Sequence, residues 1–128
     1  PPPPPPSPPA PPTVATPLGT MAGARAGAPA AARAVGRSLA AQRGWGDDQF
    51  VCLDKLWTKE SNWRVDADNP SSSAYGIPQA LPGSKMASAG SDWRTNPATQ
   101  ITWGLGYIEG RYGTPCSAWS HSVAKGWY

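Results

Sequence analysis

A glutamate stands between two tryptophans in the segment WTKESNW, residues 57–63. If this segment is helical, with about 100° of rotation per residue, the Glu60 side chain falls between Leu53 and Leu56, inside an apolar arc. Burial penalises the charged form of a carboxyl group, so an unpaired glutamate in such surroundings keeps its proton to higher pH. A side chain that is protonated near neutral pH can act as a general acid. The spacing therefore makes Glu60 the candidate catalytic residue.

Two other interpretations of Glu60 stay open on sequence alone. The side chain could belong to a frayed last turn, just past the buried part of the helix. It could instead pair with Arg64 at the i+4 position. Helical periodicity does not separate these interpretations from a catalytic role.

The helix that carries Glu60 is predicted over residues 47–64. Asp47 and Asp48 supply its start, because an N-cap and negative charge are favoured at the first turn of a helix. The apolar residues of the arc are Phe50, Leu53, Leu56, Trp57 and Trp63, and Lys55 and Lys59 fall on the opposite side.

The aromatic residues indicate where the folded domain lies. All seven Trp, all four Tyr and the single Phe fall at or after Trp45, whereas residues 1–44 hold 12 of the 17 prolines. A segment so poor in large apolar side chains buries too little surface to offset the entropy of ordering its backbone. We expect residues 1–44 to form a disordered tether, with at most a marginal helix around Gly36, and residues 45–128 to form one domain.

The distribution of charge argues against a nucleic-acid partner. Residues 1–44 carry four arginines and no acidic residue, a charge of +4, but from Trp45 onward seven basic residues face eight acidic ones, a charge of −1. The domain is therefore not a basic-patch protein. Because no apolar run approaches the roughly 20 residues that a spanning helix needs, we also expect no membrane span.

A long segment rich in Asp, Asn, Ser, Gly and Pro follows the first helix and is expected to be an ordered loop. A connection of this length inside a compact domain is usually functional. Its candidate ligand contacts are Tyr75 and Trp93, which offer ring faces, and Gln79, which offers hydrogen-bonding groups.

Two further helices are predicted after this loop, so the fold class is a small, mainly α domain. Asn96-Pro97 starts one of them, by an N-cap followed by proline, and Gly113 ends it. Trp103 in this helix is a candidate stacking surface for a sugar ring, but its place beside Ile101 and Leu105 favours a role in the core. We expect the glycines at 104, 106 and 110 to allow close helix packing. The last helix begins near Pro115.

Cys52 and Cys116 are the two cysteines, and their spacing is not that of a zinc site. A disulfide between them would stabilise a small core by roughly 4 kcal/mol in the loop-entropy model and would imply an oxidising compartment. Two unpaired buried thiols are the alternative. His121 has no Cys or His at ligand spacing, so we expect no metal and no cofactor.

Two motifs carry a resemblance to the lytic transglycosylase branch of the lysozyme superfamily. Glu60-Ser61 at the end of an apolar helix, followed by SSSAYGIPQALP, looks like that family's Glu-Ser and Gly-Leu-Met-Gln pattern. NPATQITWGLGYIEGRYG resembles its second signature, an Asn-Pro or Asp-Pro start that leads to Tyr-Ile. The chain is also similar to small exported transglycosylase-like domains of the actinobacterial type.

This resemblance implies a role for five residues. Glu60 matches the catalytic acid and Ser61 the serine after it, Gly76 and Gln79 match the ends of the motif that lines the sugar cleft, and Tyr107 matches the tyrosine of the second signature. Two departures stand out: Pro78 replaces the methionine before the glutamine, and a late Tyr-Asn motif has no clear equivalent in AWSHSVAKGWY.

The implied activity is cleavage of the β-1,4 bond between N-acetylmuramic acid and N-acetylglucosamine in peptidoglycan by one glutamate, with a 1,6-anhydro product. We expect a monomer that is secreted or associated with the cell envelope. One alternative is a hydrolase, for which Asp66, Asp68 or Asp92 would supply the second carboxylate. A second alternative is a cell-wall glycan-binding module without catalysis, and a third is a secreted signalling or interaction protein that uses the tether.

Overall fold

The computed structural model describes residues 28–128, and this part of the chain is mainly helical, as expected. Its four α-helices are α1 (Pro29–Gln42), α2 (Asp47–Ser61), α3 (Pro97–Arg111) and α4 (Pro115–Lys125), and a short 3₁₀ helix spans Gly83–Ser88. Between α2 and α3 runs the predicted ordered loop. Two isolated bridges, which join Tyr75 to Asp68 and to Ala80, are the β pairing that the described residues contain.

Local capping groups explain where α3 and α4 begin. The Asn96 side chain accepts a hydrogen bond of 2.9 Å from the backbone N–H of Ala98, and Pro97 occupies the first turn of α3. Thr114 caps α4 in the same way, by accepting from Ser117 at 3.2 Å. Both helix starts were therefore readable from the sequence.

The predicted extent of α2 is wrong at its carboxyl end, because the helix stops at Ser61 rather than at Arg64. Asn62 and Trp63 have φ angles of 57° and 61°, in the left-handed region that L residues adopt at a cost of about 1–2 kcal/mol. The Trp63 ring is fully buried beside Phe50 and Trp57, and this packing offsets the backbone cost.

The expectation that residues 29–44 belong to a disordered tether is also wrong, because α1 folds against the domain; residues 1–27 of the tether lie outside the described residues. α1 begins at Pro29. The buried side of α1 is formed by three small residues, Ala32, Gly36 and Ala40. A search for large apolar residues does not find such a helix, because its buried residues are small. The aromatic rings at this contact belong to the rest of the domain.

The ring of Trp63 occupies the space above Gly36. A Cβ atom at Gly36 would lie 2.7 Å from the Trp63 ring, so a side chain there would displace the indole. Nearby, the Arg33 side chain donates to Asp54 at 2.8 Å and lies over the same ring. Arg43, which follows the last residue of α1, likewise pairs with Glu109 of α3.

α2 is the central helix of the core. It packs mainly against α4, to which the disulfide between Cys52 and Cys116 joins it, with Cα atoms 4.9 Å apart. The predicted disulfide is thus confirmed, and it is consistent with a protein that folds in an oxidising compartment. The core comprises Ala32, Ala40, Phe50, Leu53, Leu56, Trp57, Trp63, Ile77, Ile101, Leu105, Ile108, Ala118 and Tyr128.

Of the three glycines in α3, the predicted close packing holds for Gly104 alone. A Cβ there would lie 2.6 Å from the Trp57 ring, whereas at Gly106 its nearest neighbour among the described residues is Arg43 at 3.8 Å, and at Gly110 none lies within 4 Å. Gly106 and Gly110 are exposed, and each costs about 1 kcal/mol relative to alanine within a helix. Packing does not explain them.

None of the helices in residues 28–128 has the length and apolar character needed to cross a membrane.

Candidate active site

Glu60 lies in the last turn of α2 and is half-buried. Within residues 28–128 its carboxyl group makes no hydrogen bond and no ion pair. The pairing with Arg64 that the sequence left open does not form, because Arg64 contacts Asp66 instead, at 3.5 Å. Glu60 is thus a partly enclosed acid without a compensating partner.

Burial raises the pKa of Glu60 to about 7, because water that would solvate the carboxylate is largely excluded. The Lys59 ammonium opposes this rise in pKa by favouring the charged form. Lys59 is held in place by Ser122 of α4, whose hydroxyl and carbonyl oxygens accept from Nζ at 2.6 and 3.1 Å. The balance leaves an acid that exchanges its proton near neutral pH.

Two tyrosines lie close enough to Glu60 to respond to its charge. Burial, and then the charges of neighbouring groups including Glu60, raise the pKa of Tyr107 and of Tyr128 well above the ordinary value. The two rings meet edge to face, with centroids 5.6 Å apart. Glu60 therefore borders an aromatic cluster formed by residues from α3 and from the end of the chain.

Tyr128 connects α2 to the long loop. Its hydroxyl accepts a hydrogen bond of 2.8 Å from the Trp57 indole and donates one of 2.8 Å to the carbonyl of Pro78. Trp57 lies one turn before Glu60, so this connection fixes the turn that carries the acid. Pro78, the residue that departs from the motif in the sequence, thus contributes its carbonyl group to a buried hydrogen bond.

Three polar atoms of the aromatic cluster are buried without a hydrogen-bond partner among the described residues. They are the hydroxyls of Tyr107 and Tyr112 and Nε2 of His121. Buried polar atoms are seldom left unpaired in native structures, so such atoms call for a water molecule or a ligand group. Tyr107, which the sequence proposed for substrate contact, is one of them.

Ser61 has a structural contact. It is buried, and its hydroxyl donates to the carbonyl of Ile77 at 2.7 Å. This bond ties the end of α2, one residue after Glu60, to the loop that contains Gly76 and Gln79. The proposed substrate contact through Ser61 is not available to this hydroxyl as placed, and we describe Ser61 as a positioning residue.

Gly76 and Gln79 shape the same loop. Gly76 has a φ of 83°, and a Cβ there would lie 2.7 Å from the Gln100 side chain. Gln79 is buried, and its amide nitrogen donates to the carbonyls of Ala67 and Gly76 at 3.0 and 2.9 Å. Both residues maintain the loop conformation, and their predicted contact with a sugar stays a prediction.

Tyr75 and Trp93 form an aromatic pair elsewhere on the loop. Their rings meet edge to face at 5.8 Å, both are half-buried, and Arg94 lies over the Trp93 ring. The Tyr75 hydroxyl donates to the carbonyl of Arg94 at 2.9 Å. Both rings are partly exposed, and their predicted contact with a ligand stays a prediction. Among residues 28–128, no hydrogen bond or ring contact joins the pair to Glu60.

The candidate second carboxylates, Asp66, Asp68 and Asp92, are not among the groups that shift the pKa of Glu60. The charges of Asp66 and Asp68 contribute instead to raising the pKa of Tyr75, after the larger effect of burial. Asp92 accepts hydrogen bonds from Asn96 and Thr99 at 2.8 and 2.7 Å. A carboxylate at the short separation of a retaining glycosidase, about 5–5.5 Å, would influence the Glu60 carboxyl strongly.

Trp103 is not the core residue that the sequence predicted. It is half-exposed on α3 and lies outside the buried core. Its ring is nearly parallel to that of Tyr107, with an interplanar angle of 10° and centroids 5.3 Å apart. The reason lies in the helix geometry, since positions 103 and 107 stack at i and i+4 beside the buried face that Gly104 and Ile108 form.

Sequence reasoning missed four residues that organise the site. Tyr128 and Tyr112 belong to the aromatic cluster, Lys59 acts on Glu60, and buried Gln100 accepts from the N–H of Ile77 at 2.9 Å. A signal existed for one of them: Gln100 falls on the apolar face of α3, where an unpaired amide would be costly. The others depend on contacts between distant parts of the chain.

No metal centre is indicated within the described range: His, Cys, Asp and Glu do not cluster there in groups that could hold an ion.

Comparisons of the chain with protein-family models, with curated proteins and with solved structures found no match. The function of the site is therefore inferred from its own residues.

Proposed function

We propose that the protein cleaves the β-1,4 glycosidic bond between N-acetylmuramic acid and N-acetylglucosamine in peptidoglycan, with Glu60 as its acid and base. The observation that carries the proposal is the Glu60 carboxyl itself: half-buried, without a hydrogen bond or ion pair in residues 28–128, and with a pKa of about 7. A binding module has no use for such a group, whereas a general acid needs one.

The reaction proceeds with one carboxyl group. Glu60 gives its proton to the oxygen of the leaving sugar as the bond to the anomeric carbon breaks. The carbonyl oxygen of the substrate's own N-acetyl group then bonds to that carbon and compensates its positive charge. Glu60, now a carboxylate, withdraws the proton of the muramoyl 6-hydroxyl, whose oxygen displaces the N-acetyl oxygen. The products are a 1,6-anhydro sugar, a free 4-hydroxyl group and a reprotonated Glu60, without the consumption of water.

Two features support the transglycosylase route over hydrolysis. The charges that shift the pKa of Glu60 do not include those of Asp66, Asp68 or Asp92, as the charge of a carboxylate at the roughly 5–5.5 Å of a retaining hydrolase would. The motifs around Glu60 and after Asn96 also resemble those of lytic transglycosylases. The disulfide fits an exported protein that meets peptidoglycan in the cell envelope.

The test compares Glu60→Gln with Glu109→Gln, because the chain contains these two glutamates alone. Purified peptidoglycan is digested with each variant and the soluble fragments are analysed by mass spectrometry. We expect Glu109→Gln to release fragments and Glu60→Gln to release none while still sedimenting with the insoluble wall. Digestion by Glu60→Gln at the parent rate would refute the proposal.

The masses of the products decide between the two chemistries. Fragments with an anhydro end are lighter by one water than fragments with a reducing end. We expect fragments with anhydro ends. Fragments with reducing ends would show that the protein is a hydrolase rather than a transglycosylase.

A further inference from the structure

We infer that one face of α3, formed by Trp103, Gly106, Tyr107 and Gly110 and called here the α3 platform, binds a ring of a β-1,4-linked amino-sugar chain beside Glu60. The chemical class of this ligand rests on the proposed function. The site itself rests on the geometry of α3.

The four residues of the α3 platform share one side of the helix. They occupy positions i, i+3, i+4 and i+7, which lie within about 100° of one another around an α-helix. The stacked rings of Trp103 and Tyr107 form the aromatic part. Tyr107 is held from below by edge-to-face contacts with Tyr112 and Tyr128, so the stack has a fixed orientation.

The two glycines of the α3 platform leave a low surface beside these rings. Neither has a positive φ, and neither is required by a packed neighbour in the described part of the chain, since both have room for a side chain. Both nevertheless weaken the helix. Gly106 lies one turn after Trp103, and Gly110 lies one turn after Tyr107, so a side chain at either position would stand above the plane on which a flat ligand lies.

The ligand is identified by what this surface can contact. Alternate C–H groups of a β-linked pyranose ring point to one face, which packs against an aromatic ring, while its hydroxyl and amide groups project at the edge. At the edge of the α3 platform lies the Arg43 guanidinium, 3.8 Å from where a Cβ atom of Gly106 would stand, and its N–H groups can donate hydrogen bonds to those groups. A ring held there lies on the side of α3 that faces the Glu60 turn, because the Tyr107 ring contacts Tyr128, whose hydroxyl binds Trp57 one turn before Glu60.

The test measures binding apart from catalysis. In the full chain carrying Glu60→Gln, the affinity for a soluble oligomer of β-1,4-linked N-acetylglucosamine is determined by calorimetry. Trp103→Ala, Gly106→Gln and Gly110→Gln are each added to this background. We expect each to weaken binding by about tenfold or more, while both glycine variants unfold at the parent temperature or above it, because glycine has been removed from a helix.

Two controls isolate the effect of bulk on the platform. Gly110→Ala removes the glycine with little added height, and we expect it to retain binding within about threefold. Ala34→Gln adds the same bulk to an exposed position of α1, on the side opposite its buried face, and should leave binding unchanged.

The inference is overturned if Gly106→Gln and Gly110→Gln bind the oligomer as tightly as the Glu60→Gln parent does. It is also overturned if the Glu60→Gln parent does not bind the oligomer. Either result leaves the proposed function standing when the unsubstituted protein still digests peptidoglycan in a Glu60-dependent manner. Conversely, loss of binding by the platform variants together with digestion by Glu60→Gln would preserve the α3 platform and refute the catalytic role of Glu60.

Discussion

The Trp57 indole donates a hydrogen bond of 2.8 Å to the hydroxyl of Tyr128, which in turn donates to the carbonyl of Pro78. One hydroxyl thus joins the central helix, the end of the chain and the long loop. The indole nitrogen, the hydroxyl oxygen and the carbonyl oxygen are all buried. Tyr128 lies 71 residues after Trp57 and 50 residues after Pro78 in the sequence. The turn that carries Glu60 is held by this contact.

Removal of the Tyr128 hydroxyl should destabilise the protein. In Tyr128→Phe the Trp57 N–H and the Pro78 carbonyl lose their partner inside the core, which costs about 1–3 kcal/mol of the free energy of unfolding. Tyr112→Phe is the matched control, because the Tyr112 hydroxyl has no partner within residues 28–128. Urea denaturation of both variants checks this, and equal losses from the two would contradict it.

The stability of the protein should fall as Glu60 ionises. The pKa of Glu60 is about 7 in the folded protein against 4.5 for a free side chain, so the folded state holds the proton more tightly. The contribution is complete below about pH 4.5 and is lost as the pH rises through about 7, a change of about 3 kcal/mol. Glu60→Gln has no carboxyl group at this position, so its stability does not fall in this way as the pH rises.

Denaturation of the parent and of Glu60→Gln at about pH 5 and about pH 8 measures the difference. We expect the glutamine variant to gain stability relative to the parent as the pH rises. A difference that does not change with pH would show that the folded protein does not raise the pKa of Glu60.

The rate of peptidoglycan cleavage should decline as the pH rises above about 7, because Glu60 must be protonated to act as a general acid. Lys59→Met removes the charge that lowers the pKa of Glu60, so the decline should move to higher pH. Lys55→Met removes an equivalent exposed lysine of α2 that does not act on Glu60. A profile of kcat/KM against pH that shifts equally in both lysine variants would contradict the assignment.

The contact between α1 and the domain should be essential to stability. Gly36→Leu places a side chain where the Trp63 ring lies, and overpacking of this kind typically costs about 1–3 kcal/mol. Ala34→Leu adds the same side chain to the exposed side of α1 and should have little effect. Thermal unfolding compares them, and equal melting temperatures would mean that α1 does not pack on Trp63 in solution.

The parts of the fold that follow from local signals were predictable from sequence. Asn96-Pro97 marked the start of α3, and the apolar arc of α2 indicated that the Glu60 side chain would be partly buried, as it is. The disulfide between Cys52 and Cys116 was inferred from the need of a small core for additional stabilisation, and it is present.

The parts that depend on distant partners were not predictable. α1 docks through Gly36 and two alanines, whose small size gives no apolar signal, and its role becomes visible when Trp63 is seen to occupy the space above Gly36. Tyr128 is held near the Glu60 turn by its hydrogen bonds to Trp57 and Pro78, and helical periodicity gives no signal for such long-range contacts. Trp103 was expected in the core because its neighbours in sequence are apolar, yet it falls just outside the buried face of α3.

The ionisation of Glu60 tests the central claim most directly. Because the chain holds two glutamates, labelling with ¹³C-glutamate yields two carboxyl resonances, and Glu109→Gln identifies the one from Glu60. Titration of the full chain by NMR should place the midpoint of the Glu60 resonance near the pKa of about 7 that its burial produces. A midpoint at the ordinary value of 4.5 would show a solvated carboxylate and would contradict its role as the acid.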